Sequence, residues 1–100
     1  MTANTHTGGQ ILIDQLHTHG VTAVFCVPGE SYLAALDAFH DTPHIRLISC
    51  RHEEGAGFMA EAWGKLTGNP GVAFVTRGPG ACNVSTVSYT HLTLPTILRV

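Results

Sequence analysis

Apolar residues recur along the chain in two alternating rhythms, and the alternation predicts the fold. From Gly9 to His19 the positions Ile11, Leu12, Ile13 and Leu16 cluster on one side of a helical wheel, and Gly20 follows as a stop signal. Val21 to Val27 is a short apolar run that does not alternate with polar residues, as expected of a strand buried on both faces, and Pro28-Gly29 ends it. Ser31 is placed to cap a second helix reaching about His40, with Leu33, Leu36 and Phe39 at three-residue spacing. Ile45 to Ser49 reads as a second strand. A third helix is expected from about Glu53 to Thr67, with Ala56, Met59, Ala60, Trp63 and Leu66 on one side and Gly68 beyond its end. Val72 to Thr76 reads as a third strand, and Gly78-Pro79-Gly80 breaks the chain before another helix near Ala81. Residues Met1 to Thr7 are polar and read as a disordered tail.

Strand and helix alternate in units of roughly 25 residues, the pattern of an α/β fold in which a parallel sheet carries helices on both faces. Crossovers in such sheets are right-handed, and sites lie at the carboxyl ends of the strands. Three segments fall there: Pro28-Gly29-Glu30, Arg51-His52-Glu53-Glu54 and Arg77-Gly78-Pro79-Gly80. All three would line one edge of the sheet.

Composition narrows the picture. The 100 residues are 44% hydrophobic and only 12% charged, which suits a piece that hides much of its surface against other domains or subunits. A formal charge of −2 gives no basic footprint, so neither nucleic acid nor an anionic membrane is an expected partner. Cys26, Cys50 and Cys82 are odd in number and form no C-x-x-C pair, which argues for free thiols in a reducing compartment rather than disulfides or a zinc site. The N-terminus lacks a signal-peptide pattern and no run approaches a membrane span, so a cytoplasmic location is expected. Among the seven histidines, His17 and His19 sit two apart on a helix and cannot face one ligand, and no metal site is expected in this segment.

Four motifs in order carry a family resemblance. F-C-V-P-G-E at Phe25 to Glu30, R-H-E-E-G-A at Arg51 to Ala56, A-E-A-W-G-K-L-T-G at Ala60 to Gly68 and P-G-V-A-F-V-T-R-G-P-G-A-C-N at Pro70 to Asn83 resemble the pyrimidine-binding domain of thiamine-diphosphate-dependent enzymes of the acetolactate synthase and pyruvate oxidase type. In that family a glutamate hydrogen-bonds to N1′ of the aminopyrimidine and favours its imino tautomer, whose nitrogen removes the C2 proton; the cofactor carries the hard chemistry. The resemblance makes Glu53 that catalytic glutamate. It also implies that Pro28, Gly29, Thr76, Pro79 and Asn83 contact the cofactor ring. Read on their own, Glu53 and Glu54 are equally first-turn acids complementing a helix dipole, Gly78-Pro79-Gly80 is a tight strand-to-helix turn, and Asn83 is a helix cap. Apolar surroundings would raise the pKa of Glu53, whereas a helix N-terminus and Arg51 would lower it.

What the resemblance implies for the whole protein is a carboligase or decarboxylase of 2-oxo acids such as pyruvate, acting as a homodimer or homotetramer. Mg²⁺ would be held by a separate diphosphate-binding domain, marked by a G-D-G…N segment that this sequence lacks, and some members also hold FAD. Because the family places the cofactor between the pyrimidine domain of one subunit and the diphosphate domain of its neighbour, this segment alone is expected to be inactive. Other readings remain open: a phosphate- or nucleotide-binding module using Gly78-Pro79-Gly80, although no G-x-x-x-x-G-K-[ST] or G-x-G-x-x-G is present, or a non-catalytic interaction fragment. A carboxylate at Glu53 pointing into the site would separate them, since it suits an aminopyrimidine and repels a phosphate.

Several positions depart from the family pattern. Cys26 stands where glycine is usual beside the pyrimidine turn, Trp63-Gly64 replaces Tyr-Ala, and Arg77 replaces serine or threonine; Arg77 reads first as a solvated surface residue, with a substrate carboxylate or an interface acid as alternative partners. The resemblance stops near Ser85. Val87 to Thr96 shows no helical stripe and resembles the in-frame translation of a transposon-type sequencing adapter. The expected division is therefore a tail at 1–7, a partial pyrimidine-binding domain at 8–86 and an artefactual tail at 87–100.

Overall fold

A computed structural model of the chain describes residues 6–98, with side chains as far as Ser88. Helix α1 (Gly8–Thr18) leads into strand β1 (Ala23–Cys26), followed by a short 3-10 turn (Glu30–Tyr32) and α2 (Leu33–His40). Then come β2 (Arg46–Ser49), α3 (Glu53–Thr67), β3 (Val72–Phe74) and α4 (Pro79–Leu98). The three strands form one parallel sheet in the order β2-β1-β3, so the α/β fold expected from the sequence is the one observed. Ala23 pairs with Arg46 and Cys26 with Ser49 on one side, while Val24 pairs with Val72 and Cys26 with Phe74 on the other.

Strand β1 is central and all four of its residues are buried. Successive side chains point to opposite faces, so Val24 joins Ile13 of α1, Ala35, Ala38 and Phe39 of α2, and Ile45 in one core. Phe25 turns the other way and packs with Ala56 and Ala60 of α3, with Ile48, Trp63 and Ala73 against them. The chain moves outward from β1 to β2 and then crosses back to β3. Right-handed crossovers in opposite directions put their helices on opposite faces, which is why α2 and α3 sandwich the sheet.

Helix boundaries follow local chemistry, with some departures from expectation. Thr7 is the N-cap of α1, not part of a loose tail: its hydroxyl accepts from the Gln10 backbone and the Gln10 side chain accepts from the Thr7 backbone. Such a capping box is typically worth about 1 kcal/mol. Ser31 does not cap α2; its hydroxyl is drawn instead to Thr76, and α2 begins without a side-chain cap. The apolar stripe of α2 is also rotated from the expected one, because Ala35, Ala38 and Phe39 are buried while Leu33 is 59% exposed. In α3 the buried face is Ala56, Gly57 and Ala60, leaving Met59 and Leu66 outside. Gly68 closes α3 in the left-handed region at φ 73°, where a Cβ would be strained. Helix α4 starts at Pro79, two residues earlier than expected, and its backbone stays helical to Leu98 although Val87 to Thr96 has no helical stripe.

The loop into β3 lies hard against α3. A Cβ on Gly71 would sit 1.9 Å from the Ala60 carbonyl oxygen, whereas one on Gly55, within α3, would meet nothing. Gly71→Ala is therefore expected to lower the urea midpoint by an amount worth about 1–3 kcal/mol. Gly55→Ala is expected to leave stability unchanged or raise it by up to about 1 kcal/mol. Equal effects of the two would refute this packing.

Candidate functional site

In an open sheet ordered β2-β1-β3, the connections leaving β1 and β3 depart to opposite faces. A crevice opens between the two strand ends, and ligands of such sheets bind there. The turn after β1 and the turn after β3 meet in that crevice. A Cβ on Gly29 would lie 2.6 Å from Thr76 Cβ, so only glycine allows the approach. Ser31 Oγ lies 2.8 Å from Thr76 Oγ1. Tyr32 OH donates to the carbonyls of Val27 and, at 3.2 Å, Phe74, tying the two strand ends together. Its pKa is pushed up to about 12 by burial and by the nearby Cys26 and Glu53, which keeps the phenol a donor. Nothing in the local sequence marks Tyr32 for this role, because both of its acceptors are backbone atoms.

Helix α3 delivers Glu53 to the same place. His52 is its N-cap, and the ring Nδ1 accepts from the Glu54 backbone at 3.1 Å. Glu53 follows as the first helical residue, and it is only 9% exposed. Asn83 Nδ2 donates to its Oε1 at 3.0 Å. Asn83 lies one turn inside α4 and so is not a cap. Oε2 faces Gly80, where a Cβ would be 3.5 Å from that oxygen and 3.0 Å from Thr76 Cγ2. Gly29, Thr76, Gly80, Glu53 and Asn83 thus form one cluster, built from two turns and the first turns of α3 and α4.

The opposing influences on Glu53 resolve in one direction. The hydrogen bond from Asn83, and then the residue's own backbone N–H, hold the carboxyl below its ordinary value; burial pulls upward without prevailing, and His52 adds a smaller lowering. Pro28 and Pro79 flank the cluster and are exposed. Arg77 is exposed at the lip, and Glu54 stays in the first turn of α3. The three thiols are free, Cys26 buried and Cys82 exposed. Among the described residues no group of three or more His, Cys, Asp or Glu could hold a metal ion, and no helix is long and apolar enough to cross a membrane.

A parallel sheet with a shielded carboxylate and two close-packed glycines where its turns meet defines an α/β domain with a candidate binding crevice at its switch point. The chain matches the family described as thiamine pyrophosphate enzyme, N-terminal TPP binding domain, over residues 6–90, and it belongs to that family. It is 50% identical over 80 residues to an acetolactate synthase of Bacillus subtilis and 45% identical over 80 residues to a mitochondrial acetolactate synthase catalytic subunit of Aspergillus candidus. These matches cover 79% and 80% of this chain. It is also 44% identical over 84 residues, 82% of this chain, to a Pseudomonas aeruginosa protein named as a probable 2-ketoarginine decarboxylase. The chain spans 12 to 14% of the length of these relatives.

The site residues suit the pyrimidine end of that cofactor. One carboxylate oxygen is anchored by Asn83 and the other faces Gly80, while the missing Cβ atoms of Gly29 and Gly80 let both turns pack against Thr76 beside it. If Asn83 holds the Glu53 carboxyl down, Asn83→Ala should move its titration midpoint upward, as followed by ¹³C NMR of labelled glutamate. The sign for stability follows. A depressed folded-state pKa contributes stability above the unfolded value that is lost as pH falls through the folded one. Asn83→Ala should therefore flatten that acid-side loss, and an unmoved midpoint would show that the hydrogen bond has no hold on Glu53.

Proposed function

We propose that this chain supplies the aminopyrimidine-binding part of an enzyme that joins or decarboxylates 2-oxo acids with thiamine diphosphate, acetolactate synthesis being the leading activity. The observation that carries the reading is the Glu53 carboxylate, shielded at the switch point with one oxygen fixed by Asn83. When bound, thiamine diphosphate supplies an acidic carbon, C2 of its thiazolium, that adds to the carbonyl of a 2-oxo acid.

Glu53 exchanges a proton with N1′ of the aminopyrimidine, and Asn83 keeps the carboxyl turned toward that ring. Gly29, Thr76 and Gly80 form the wall against which the ring lies, with Pro28 and Pro79 setting the two turns that carry it. Tyr32 holds those turns at a fixed separation through its two carbonyl contacts. Mg²⁺ and the diphosphate belong to a further domain, supplied by the partner subunit of a homodimer or homotetramer, and FAD to a domain of those members that hold it. Residues 87–100 are read as adapter-encoded, so resequencing the source DNA across these codons should return a different frame.

The rival reading, a phosphate or nucleotide held by Gly78-Pro79-Gly80, is disfavoured by charge. Glu53 Oε2 faces Gly80 and would repel a phosphate there. Among the relatives, two are named for acetolactate synthesis and one for decarboxylation of a 2-oxo acid, 2-ketoarginine.

In the full-length enzyme Glu53→Gln should leave folding intact and slow C2-proton exchange of bound thiamine diphosphate by roughly 10²–10⁴-fold, the usual range for losing a positioned acid–base group. Exchange at the wild-type rate would remove Glu53 from the mechanism. The chain by itself should show no turnover of pyruvate, and acetolactate formed by it would overturn the need for a second domain.

A further inference from the structure

The amino-terminal edge of the sheet, opposite the Glu53 crevice, carries a pair of histidines that the chemistry above does not use. His17 stands in the last turn of α1, and His44 lies in the loop that enters β2. Their ring centres are 4.0 Å apart and the rings are tilted by 54°. Both side chains are exposed. Among the described residues, neither ring makes a hydrogen bond or an ion pair, so each neutral imidazole has a nitrogen lone pair to offer. The partner of His17 is therefore His44 from another element, not the neighbouring His19.

The surroundings favour a cation. The C-terminal end of α1 is the negative pole of its helix dipole, and His17 sits on that turn. One step back along both elements, Asp14 and Asp41 line the cleft between α1 and the end of α2. Asp14 shares a helix face with His17 at i, i+3 spacing. These carboxylates do not complete a group of three ligands with the rings, so what they contribute is charge. Imidazole suits Zn²⁺, Ni²⁺ and Cu²⁺, whereas Mg²⁺ keeps to oxygen ligands. Two imidazoles on one such ion, bound at about 2.1 Å, have ring centres roughly 4.5–5 Å apart, so these exposed rings need open by only about 1 Å.

We propose that His17 and His44 form a two-histidine site for a divalent ion of the Zn²⁺, Ni²⁺ and Cu²⁺ class, with water completing the coordination. The ion clips the end of α1 to the loop that enters β2. The site stands at the other edge of the sheet from Glu53 and does not depend on the reading of that crevice.

The test uses the full-length enzyme, expressed without a histidine tag and stripped of this class of ion with a chelator. ZnCl₂ is titrated in by calorimetry. His17→Gln and His44→Gln should each remove one equivalent of Zn²⁺ per chain, or weaken it roughly tenfold or more, while His19→Gln removes none. Independently of any variant, pulsed EPR of the wild type with one equivalent of Cu²⁺ should show coupling to two imidazole nitrogens. Zn²⁺ uptake unchanged in His44→Gln, an equal loss in His19→Gln, or no uptake by the wild type would each overturn the site. So would a Cu²⁺ spectrum with a single imidazole, because the two rings would then be neighbours without a shared ligand.

Discussion

The arrangement depends on one strand being buried on both faces and paired on both edges. β1 has a strand on each side and a helical layer above and below, so the place where it ends is fixed from every direction. Two of its neighbours emerge at the same edge: Cys50, whose N–H bonds the Cys26 carbonyl at 2.7 Å, and Phe74, whose carbonyl accepts from Val27 at 3.2 Å. A glutamate placed four residues beyond the end of β2 and an asparagine one turn into α4 can then meet reproducibly. Loops without that frame would have to order themselves for each encounter, at about 1–2 kcal/mol per residue fixed.

Close packing at the edge is achieved by removing side chains as much as by adding them. Gly29 lets the β1 turn press on Thr76, Gly80 lets α4 start beside Glu53, and Gly71 lets the β3 loop touch the carbonyl of Ala60. Gly78, at φ 68°, turns the chain between strand and helix. Stability and function thus draw on the same residues at this edge. A substitution that adds a Cβ at Gly29 or Gly80 runs into Thr76 and pushes the turns apart.

Much of this was legible in the sequence, and the limits have physical causes. The bounds of α3 could be read outright because Glu53 opens its first turn and Gly68 closes it, both local signals. The convergence of Gly29, Glu53 and Gly80 on one edge followed from the strand–helix alternation of a parallel sheet, which puts every strand's carboxyl end on the same side. Ser31 was misread because its hydroxyl had two suitors, a nearby helix N-terminus and Thr76, 45 residues away, and the distant one won. The stripe of α2 was misjudged because small Ala35 and Ala38 take the buried positions and leave Leu33 outside, where size and spacing suggested the reverse. The bond from Asn83 to Glu53 spans 30 residues and leaves no periodic trace; it also replaced the helix-cap reading of Asn83. The helical backbone of α4 beyond Val87 runs against the absence of any stripe there.

The central claim is that Glu53 holds N1′ of the cofactor ring, and the most direct view of it is ¹⁵N NMR of thiamine diphosphate labelled at N1′ and bound to the full-length enzyme. A bound N1′ resonance displaced from that of the free cofactor, and returned toward it in Glu53→Gln, is the predicted result. A resonance identical in the two enzymes would contradict the assignment, whatever the rates of the reaction they catalyse.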